Sequence, residues 1–168
     1  MFARPTAERS PDKPAVVMVP SGRTLTFGEY EARADRVAQY LRSVGLRVGD
    51  HVAVLMENNP EMLVFEAGAE RAGLYYTCVN HFLSPDEAAY VIDDCDAQVV
   101  LTSAAKADLA IQLPERCPRV RHWVMADTAE PPEPFASFDV VLDRQPDGPI
   151  ADERMGATML YSSGTTGR

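Results

Sequence analysis

Short apolar runs alternate with stretches whose hydrophobic residues fall three or four apart, from residue 14 to the end of the chain. This is the pattern of a mostly parallel sheet with helices packed on its faces. Ala15–Val19 reads as a first strand, and Pro20-Ser21-Gly22 turns the chain back into Arg23–Thr26 as a hairpin. Thr26 and Glu29 then stand in capping-box spacing, and Phe27, Tyr30, Ala34, Val37, Ala38, Leu41 and Val44 form one helical stripe that Gly45 ends. His51–Met56 reads as a buried strand. Asn59-Pro60 supplies a cap and a first-turn proline for a helix closing at Gly73, and Leu74–Val79 is the next strand.

Ser84-Pro85-Asp86-Glu87 is a complete helix start, with a capping serine, a proline at the first position and acidic residues in the positive first turn. Gln98–Thr102 follows as strand, Ser103 to about Leu113 as helix, and His122–Met125 as strand. Five prolines and a run of acids mark residues 127–153 as a meandering surface connection with one short helix near Phe135–Leu142. Thr158–Tyr161 is the last strand. The expected fold is therefore α/β, a layered and mostly parallel sheet flanked by helices, with residues 1–168 forming a single domain.

Composition narrows the function classes. Hydrophobic residues make up 46% of the chain and charged residues 24%, a balance that supports a packed core. The net charge is −9, which argues against nucleic acid or an anionic membrane as the main partner, since both need a clustered basic face. Cys78, Cys95 and Cys117 are odd in number and lack C-x-x-C spacing, so neither a disulfide framework nor a zinc site is indicated. The apolar runs fall far short of the ~20 residues a membrane helix needs, and Arg4-Pro5…Glu8-Arg9 is unlike a signal peptide. A cytoplasmic location is expected.

The chemistry concentrates in Ser162-Ser163-Gly164-Thr165-Thr166-Gly167, directly behind the last predicted strand. The glycines let backbone approach an anion, and the amides and four hydroxyls can donate to phosphate oxygens. The loop is not a Walker motif, because it has neither the G-x-x-x-x-G-K spacing nor the lysine, and no G-x-G-x-x-G is present. Elsewhere the candidates are weaker. His51 and His122 stand at strand edges without a partner at metal spacing. Cys78 reads as a small buried apolar residue and Trp123 as core. His81 lies just beyond a predicted strand end, where pockets form in open α/β sheets, and is a candidate on the substrate side.

Leu160-Tyr161-Ser162-Ser163-Gly164-Thr165-Thr166-Gly167 resembles the signature loop of the adenylate-forming (AMP-binding) superfamily. Thr24-Leu25-Thr26-Phe27, Gly45-Leu46-Arg47-Val48-Gly49-Asp50-His51-Val52-Ala53 and Met56-Glu57-Asn58-Asn59-Pro60 are similar to its earlier segments, in the same order. The stretches from Gly73 to Glu87, Tyr90 to Cys95 and Val99 to Thr102 resemble fatty acyl-CoA synthetases more than peptide-synthetase adenylation domains.

The resemblance implies an enzyme that joins a fatty acid or other carboxylic acid to ATP, releases pyrophosphate and passes the acyl group to coenzyme A, with Mg2+ as cofactor. It implies that Ser162, Ser163, Gly164, Thr165, Thr166 and Gly167 hold the ATP phosphates. In the family the loop continues as x-Pro-Lys-Gly, whereas this sequence stops at Arg168 in the x position. The family's adenine, ribose and magnesium sites and its C-terminal domain with a catalytic lysine lie further on. No catalytic or metal residue is therefore expected in the chain, which is expected to be inactive alone, to bind none of these ligands tightly and to self-associate through an uncovered apolar face. The other reading is a free-standing α/β module that binds a nucleotide or a protein without chemistry.

Overall fold

The computed structural model describes residues 3–19 and 21–161. A short helix α1 (Arg4–Arg9) leads into an antiparallel hairpin of β1 (Pro14–Val17) and β2 (Thr24–Thr26), which forms its own two-stranded sheet. Then follow α2 (Phe27–Ser43), β3 (His51–Leu55), α3 (Pro60–Arg71), β4 (Tyr75–Cys78), α4 (Pro85–Asp94) and β5 (Ala97–Ser103). A 3-10 turn at Ala104–Lys106 enters α5 (Ala107–Ala110), and β6 (His122–Ala126), β7 (Phe135–Ser137), α6 (Phe138–Asp143) and β8 (Ala157–Thr158) complete the described chain. Strands β3 to β8 form one parallel sheet in the order β7-β6-β5-β3-β4-β8.

Both faces of this sheet are covered, which is why its strands read as unbroken apolar runs. Val52, Val54, Val99, Leu101 and Val124 pack with Val37, Leu41, Phe65, Phe138 and Leu142 of α2, α3 and α6. The alternate residues Ala53, Leu55, Val100 and Met125 pack with Ala88, Ile92 and Ala110 of α4 and α5 and with Leu113 and Cys117. The layered, mostly parallel α/β architecture agrees with the sequence pattern.

The predicted helix starts have local causes. Glu29 N–H donates to Thr26 Oγ1 at 3.2 Å while Thr26 N–H donates to Glu29 Oε2 at 2.8 Å, a reciprocal capping box. Ser84 and Glu87 form a second one, and Asn59 Oδ1 accepts from Glu61 N–H at 3.0 Å with Pro60 in the first turn.

Elsewhere the structure corrects the expectation. Residues 127–153 are not only a surface connection, because Phe135–Ser137 adds a parallel strand beside β6 and Phe138 and Leu142 are buried in the core. The helix expected from Ser103 to Leu113 is a 3-10 turn followed by four α-helical residues. Strand β1 begins at Pro14 and ends at Val17, and β8 is Ala157–Thr158, which overlaps the expected Thr158–Tyr161 run only at Thr158. Cys78 is exposed rather than buried. Helix α1, which buries none of its side chains, had no hydrophobic stripe to announce it.

The α2–α3 contact depends on two unlike features. Gly68 lies against α2 so closely that a Cβ there would stand 2.3 Å from Val37 Cγ1 and 2.9 Å from the Ala34 carbonyl oxygen. Beside it the guanidinium of Arg71, 0% exposed, donates to Glu31 Oε1 at 3.0 Å and Oε2 at 3.1 Å, to Asp35 and, through Nε, to the Ala67 carbonyl at 3.3 Å. A guanidinium can be buried only when its charge and its N–H groups are satisfied in this way.

Gly68→Ala should destabilise the chain by about 1–3 kcal/mol through forced separation of α2 and α3, visible as a lower midpoint in urea. Thr26→Ala and Ser84→Ala should each cost about 1 kcal/mol by loss of a cap. If Gly68→Ala cost no more than either, the close approach would not be limiting.

Candidate functional site

The parallel sheet changes direction between β3 and β5. The connection leaving β3 enters α3 on one face, and the connection leaving β5 enters α5 on the opposite face. Adjacent parallel strands whose exits diverge open a crevice at their carboxyl ends, where α/β folds place ligands. Here the walls are polar. Ser103 Oγ donates to Glu57 Oε2 at 2.6 Å, and Thr102 Oγ1 donates to the Leu55 carbonyl at 2.8 Å. Burial works to raise the Glu57 carboxyl, but the Ser103 hydroxyl, a backbone amide, Asn59 and Lys106 outweigh it and hold the pKa below the usual value.

On the β4 side the chain turns through Asn80, whose Oδ1 accepts from Phe82 N–H at 3.0 Å. His81, the candidate read from its place past a strand end, stacks on Phe82 with ring centroids 4.2 Å apart. Phe82 is 83% exposed, and Lys106 Nζ stands 5.5 Å from its ring centre. His81 thus lies at the carboxyl side of the sheet as expected, in company with an aromatic ring and a cation. Phe82 and Lys106 were not candidates from sequence. Their approach comes from two loops that follow different strands, which no local pattern records.

The loop Ser162, Ser163, Gly164, Thr165, Thr166 and Gly167 lies outside the described residues. Its approach is described. Strand β8 pairs parallel to β4, with Tyr75 opposite Ala157 and Tyr76 opposite Thr158, and Met159 N–H donates to the Tyr76 carbonyl at 2.8 Å. Tyr161 Oη donates to Asp94 Oδ2 at 2.6 Å, tying the residue before the loop to the last residue of α4. Burial, then that carboxylate, raises the Tyr161 hydroxyl well above its ordinary range, so it remains a donor.

Two depressions lie elsewhere on the surface. An apolar groove of about 610 Å³ runs between Val16–Val19 of the hairpin and Asn58, Asn59, Met62 and Leu63 at the start of α3. A polar one of about 650 Å³ lies at the amino ends of the strands, lined by Asp50, His51, Asp96, Gln98, Arg119 and Arg121. His51 stacks on Tyr75 at 4.9 Å, a structural role, and burial lowers His122 below its ordinary value. Trp123 is core, set edge-on to Phe135. Among the described residues no three His, Cys, Asp or Glu are grouped to hold a metal ion, and no helix is long and apolar enough to cross a membrane.

Known proteins share both the sequence and this topology. The 3-hydroxybenzoate–CoA ligase of Aromatoleum sp. (strain CIB) is 30% identical over 98% of the chain, which covers 31% of that protein. A long-chain-fatty-acid–CoA ligase of Thermus thermophilus is 30% identical over 84% of the chain and 26% of its own length. A linear gramicidin synthase of Brevibacillus parabrevis is also 30% identical, over 95% of the chain and 2% of its own length. Identity therefore does not favour fatty acyl ligases over aromatic-acid ligases or peptide synthetases. The solved structure of an anthranilate CoA ligase with anthranoyl-AMP superposes with a TM-score of 0.84 at 25% identity, over 99% of this chain and 33% of that one. The chain spans about a third of the length of the CoA ligases it matches. The model of the AMP-binding enzyme family matches residues 3–168, and the chain belongs to that family.

Proposed function

We propose that this chain is the N-terminal portion of an acid–thiol ligase and that it contributes the loop holding the β- and γ-phosphates of ATP. The observation that carries this reading is the passage from β8, a parallel strand beside β4, through Tyr161 directly into Ser162–Gly167. Hydroxyls of Ser162, Ser163, Thr165 and Thr166, with the backbone amides, donate to phosphate oxygens, and Gly164 and Gly167 permit the close approach. Holding the pyrophosphate end fixes the α-phosphorus for in-line attack by a carboxylate. The oxygen–phosphorus bond formed makes the acyl adenylate, pyrophosphate leaves, and the thiol of coenzyme A then displaces AMP. Mg2+, when bound with ATP, would screen the phosphate charge.

A fatty acid is the finer substrate reading. The stretches around Tyr75–Pro85 and Tyr90–Cys95 support it, together with the Thermus ligase and a solved Mycobacterium tuberculosis fatty acyl CoA synthetase at a TM-score of 0.82. An aromatic acid is the second reading, favoured by the 3-hydroxybenzoate and anthranilate ligases.

Titration of the labelled chain with Mg-ATP should shift the amide signals of Gly164 and Gly167 at millimolar ligand, with no ATP–pyrophosphate exchange for any acid. Turnover by the 168-residue chain would overturn the fragment reading, and micromolar binding by calorimetry would favour the free-standing module.

Cys78 does not compete with coenzyme A as an acyl acceptor. Its Sγ donates to Glu66 Oε1 at 3.1 Å, and partial burial followed by this carboxyl pushes the thiol up to about 12. Iodoacetamide at pH 8 should modify Cys78 more than about tenfold slower than free cysteine, and Glu66→Ala should speed the reaction. Equal rates in both proteins would remove Glu66 as the cause.

A further inference from the structure

Strand β8 has only two residues in register with β4, and its outer edge has no partner strand among the described residues. Two ladder positions are a weak hold on a strand that has to deliver a phosphate loop. Extra fastening comes from the segment before it. Arg154 N–H donates to the Arg71 carbonyl at 3.0 Å and Gly156 N–H to the Glu70 carbonyl at 2.6 Å, so residues 154–156 use backbone acceptors at the end of α3. Gly156 passes so close to β4 that a Cβ would stand 2.1 Å from the Leu74 carbonyl oxygen and 2.8 Å from its nitrogen.

The side chain of Glu153 adds a charged fastening. Arg4 of α1 donates through Nη1 to Glu153 Oε2 and through Nη2 to Glu153 Oε1, both at 2.8 Å, a bidentate pair. The same guanidinium donates to Asp35 Oδ1 at 2.9 Å and stands 3.1 Å from Glu31 Oε1. Glu31 and Asp35 are the carboxylates that hold buried Arg71. Two arginines and three carboxylates from α1, α2, α3 and the approach to β8 therefore form one continuous network.

The chain just after α1 is held to the start of α2, where Gly28 N–H donates to the Pro11 carbonyl and Phe27 N–H to the Lys13 carbonyl, both at 2.9 Å. Helix α1 itself buries no side chain, and Ser10, which caps its C-terminus, donates its N–H to the Thr6 carbonyl and accepts from Lys13 N–H at 3.2 Å. Among the described residues, the side-chain hydrogen bonds that α1 makes across the molecule are those of Arg4. We propose that Arg4 and Glu153 are positioning residues: α1 acts as a clasp that locks β8 against β4, fastening the strand from which the chain continues into Ser162–Gly167. This rests on the phosphate-loop reading for its functional consequence, while the clasp itself is testable without ATP.

The test is residue-resolved amide hydrogen exchange on the 168-residue chain and its variants Glu153→Gln and Arg4→Met, with Arg4→Lys as the conservative comparison. The reporters are the amides of Ala157 and Met159, which donate to the Leu74 and Tyr76 carbonyls, against the core amides of Val54 and Leu101. A clasp predicts at least roughly tenfold faster exchange at Ala157 and Met159 in Glu153→Gln and Arg4→Met. It also predicts core amides within about twofold of wild type and partial recovery in Arg4→Lys, which keeps the charge but not the fork. Unchanged exchange at Ala157 and Met159 overturns the proposal. So does an equal acceleration in the core, since that is the signature of general destabilisation. A second arm titrates each protein with tripolyphosphate and follows Gly164 and Gly167. A clasp that positions the loop weakens this response in Glu153→Gln and Arg4→Met. A loop unresponsive in wild type while the exchange result stands removes the phosphate reading and leaves the clasp.

Discussion

The buried guanidinium of Arg71 is the constraint around which the described structure is arranged. A cation removed from water must be matched in charge and in every N–H, or it costs several kcal/mol. Arg71 is the last residue of α3, and its matching groups come from α2 at Glu31 and Asp35, which are one helical turn apart and so share a face. That requirement fixes the rotation of α2 on α3, and Gly68 one turn earlier fixes their separation by leaving room only for a hydrogen. Glu31 and Asp35 carry more negative charge than Arg71 matches, and Arg4 of α1 adds a second cation beside them. The end of α3, where these groups converge, is also where the segment leading to β8 docks.

A second electrostatic seam runs along the outer side of α2. Arg33 donates to Asp139 at 2.8 Å, Arg36 to Asp147 at 2.8 Å and Arg42 to Asp152 at 3.2 Å. Arg23 reaches Glu61 and Asp127. Each exposed pair is worth at most about 1 kcal/mol in water. Their placement matters more than their strength, because every acid in the series except Glu61 belongs to the proline-rich segment after residue 126. The acidic balance of the late sequence is thus largely complementary to arginines of the early sequence. Electrostatics lays the connection between β6 and β8 along α2, and Ile150 and Phe138 add apolar anchors beneath it.

The sequence made the central strands and the helix starts legible because each has a local physical cause. Thr26 with Glu29, Ser84 with Glu87 and Asn59 with Pro60 satisfy amides within a single turn, and doubly buried strands need unbroken apolar runs. What was not legible depends on partners distant in sequence. Glu31 and Asp35 look like the solvated side of an amphipathic helix until Arg71 is placed beside them. Phe135–Ser137 is masked by Pro131, Pro132 and Pro134 and becomes a strand only because β6 offers an edge. Cys78 looks like core by residue type, yet β4 lies next to a two-residue strand and leaves it exposed.

The same division governs the candidate site. A glycine- and hydroxyl-rich loop is recognisable from composition and spacing, since the capacity to bind phosphate proposed for it would belong to its own atoms. Its placement does not. A phosphate loop is useful only if its donors are fixed relative to the other substrate, because positional errors of about 1 Å can cost two orders of magnitude in rate. The approach to the loop is fastened at the weakest place in the sheet, a short outer strand, with groups that look ordinary in the sequence: a glycine at 156, a carboxylate at 153 and an arginine near the N-terminus. Gly156 removes the steric obstacle to Leu74, the α3 carbonyls supply hydrogen bonds and Arg4 with Glu153 supplies directionality. On the proposed function, affinity for the phosphates would thus be encoded locally, while the anchoring of the strand before the loop is distributed over four elements and recorded only in the fold.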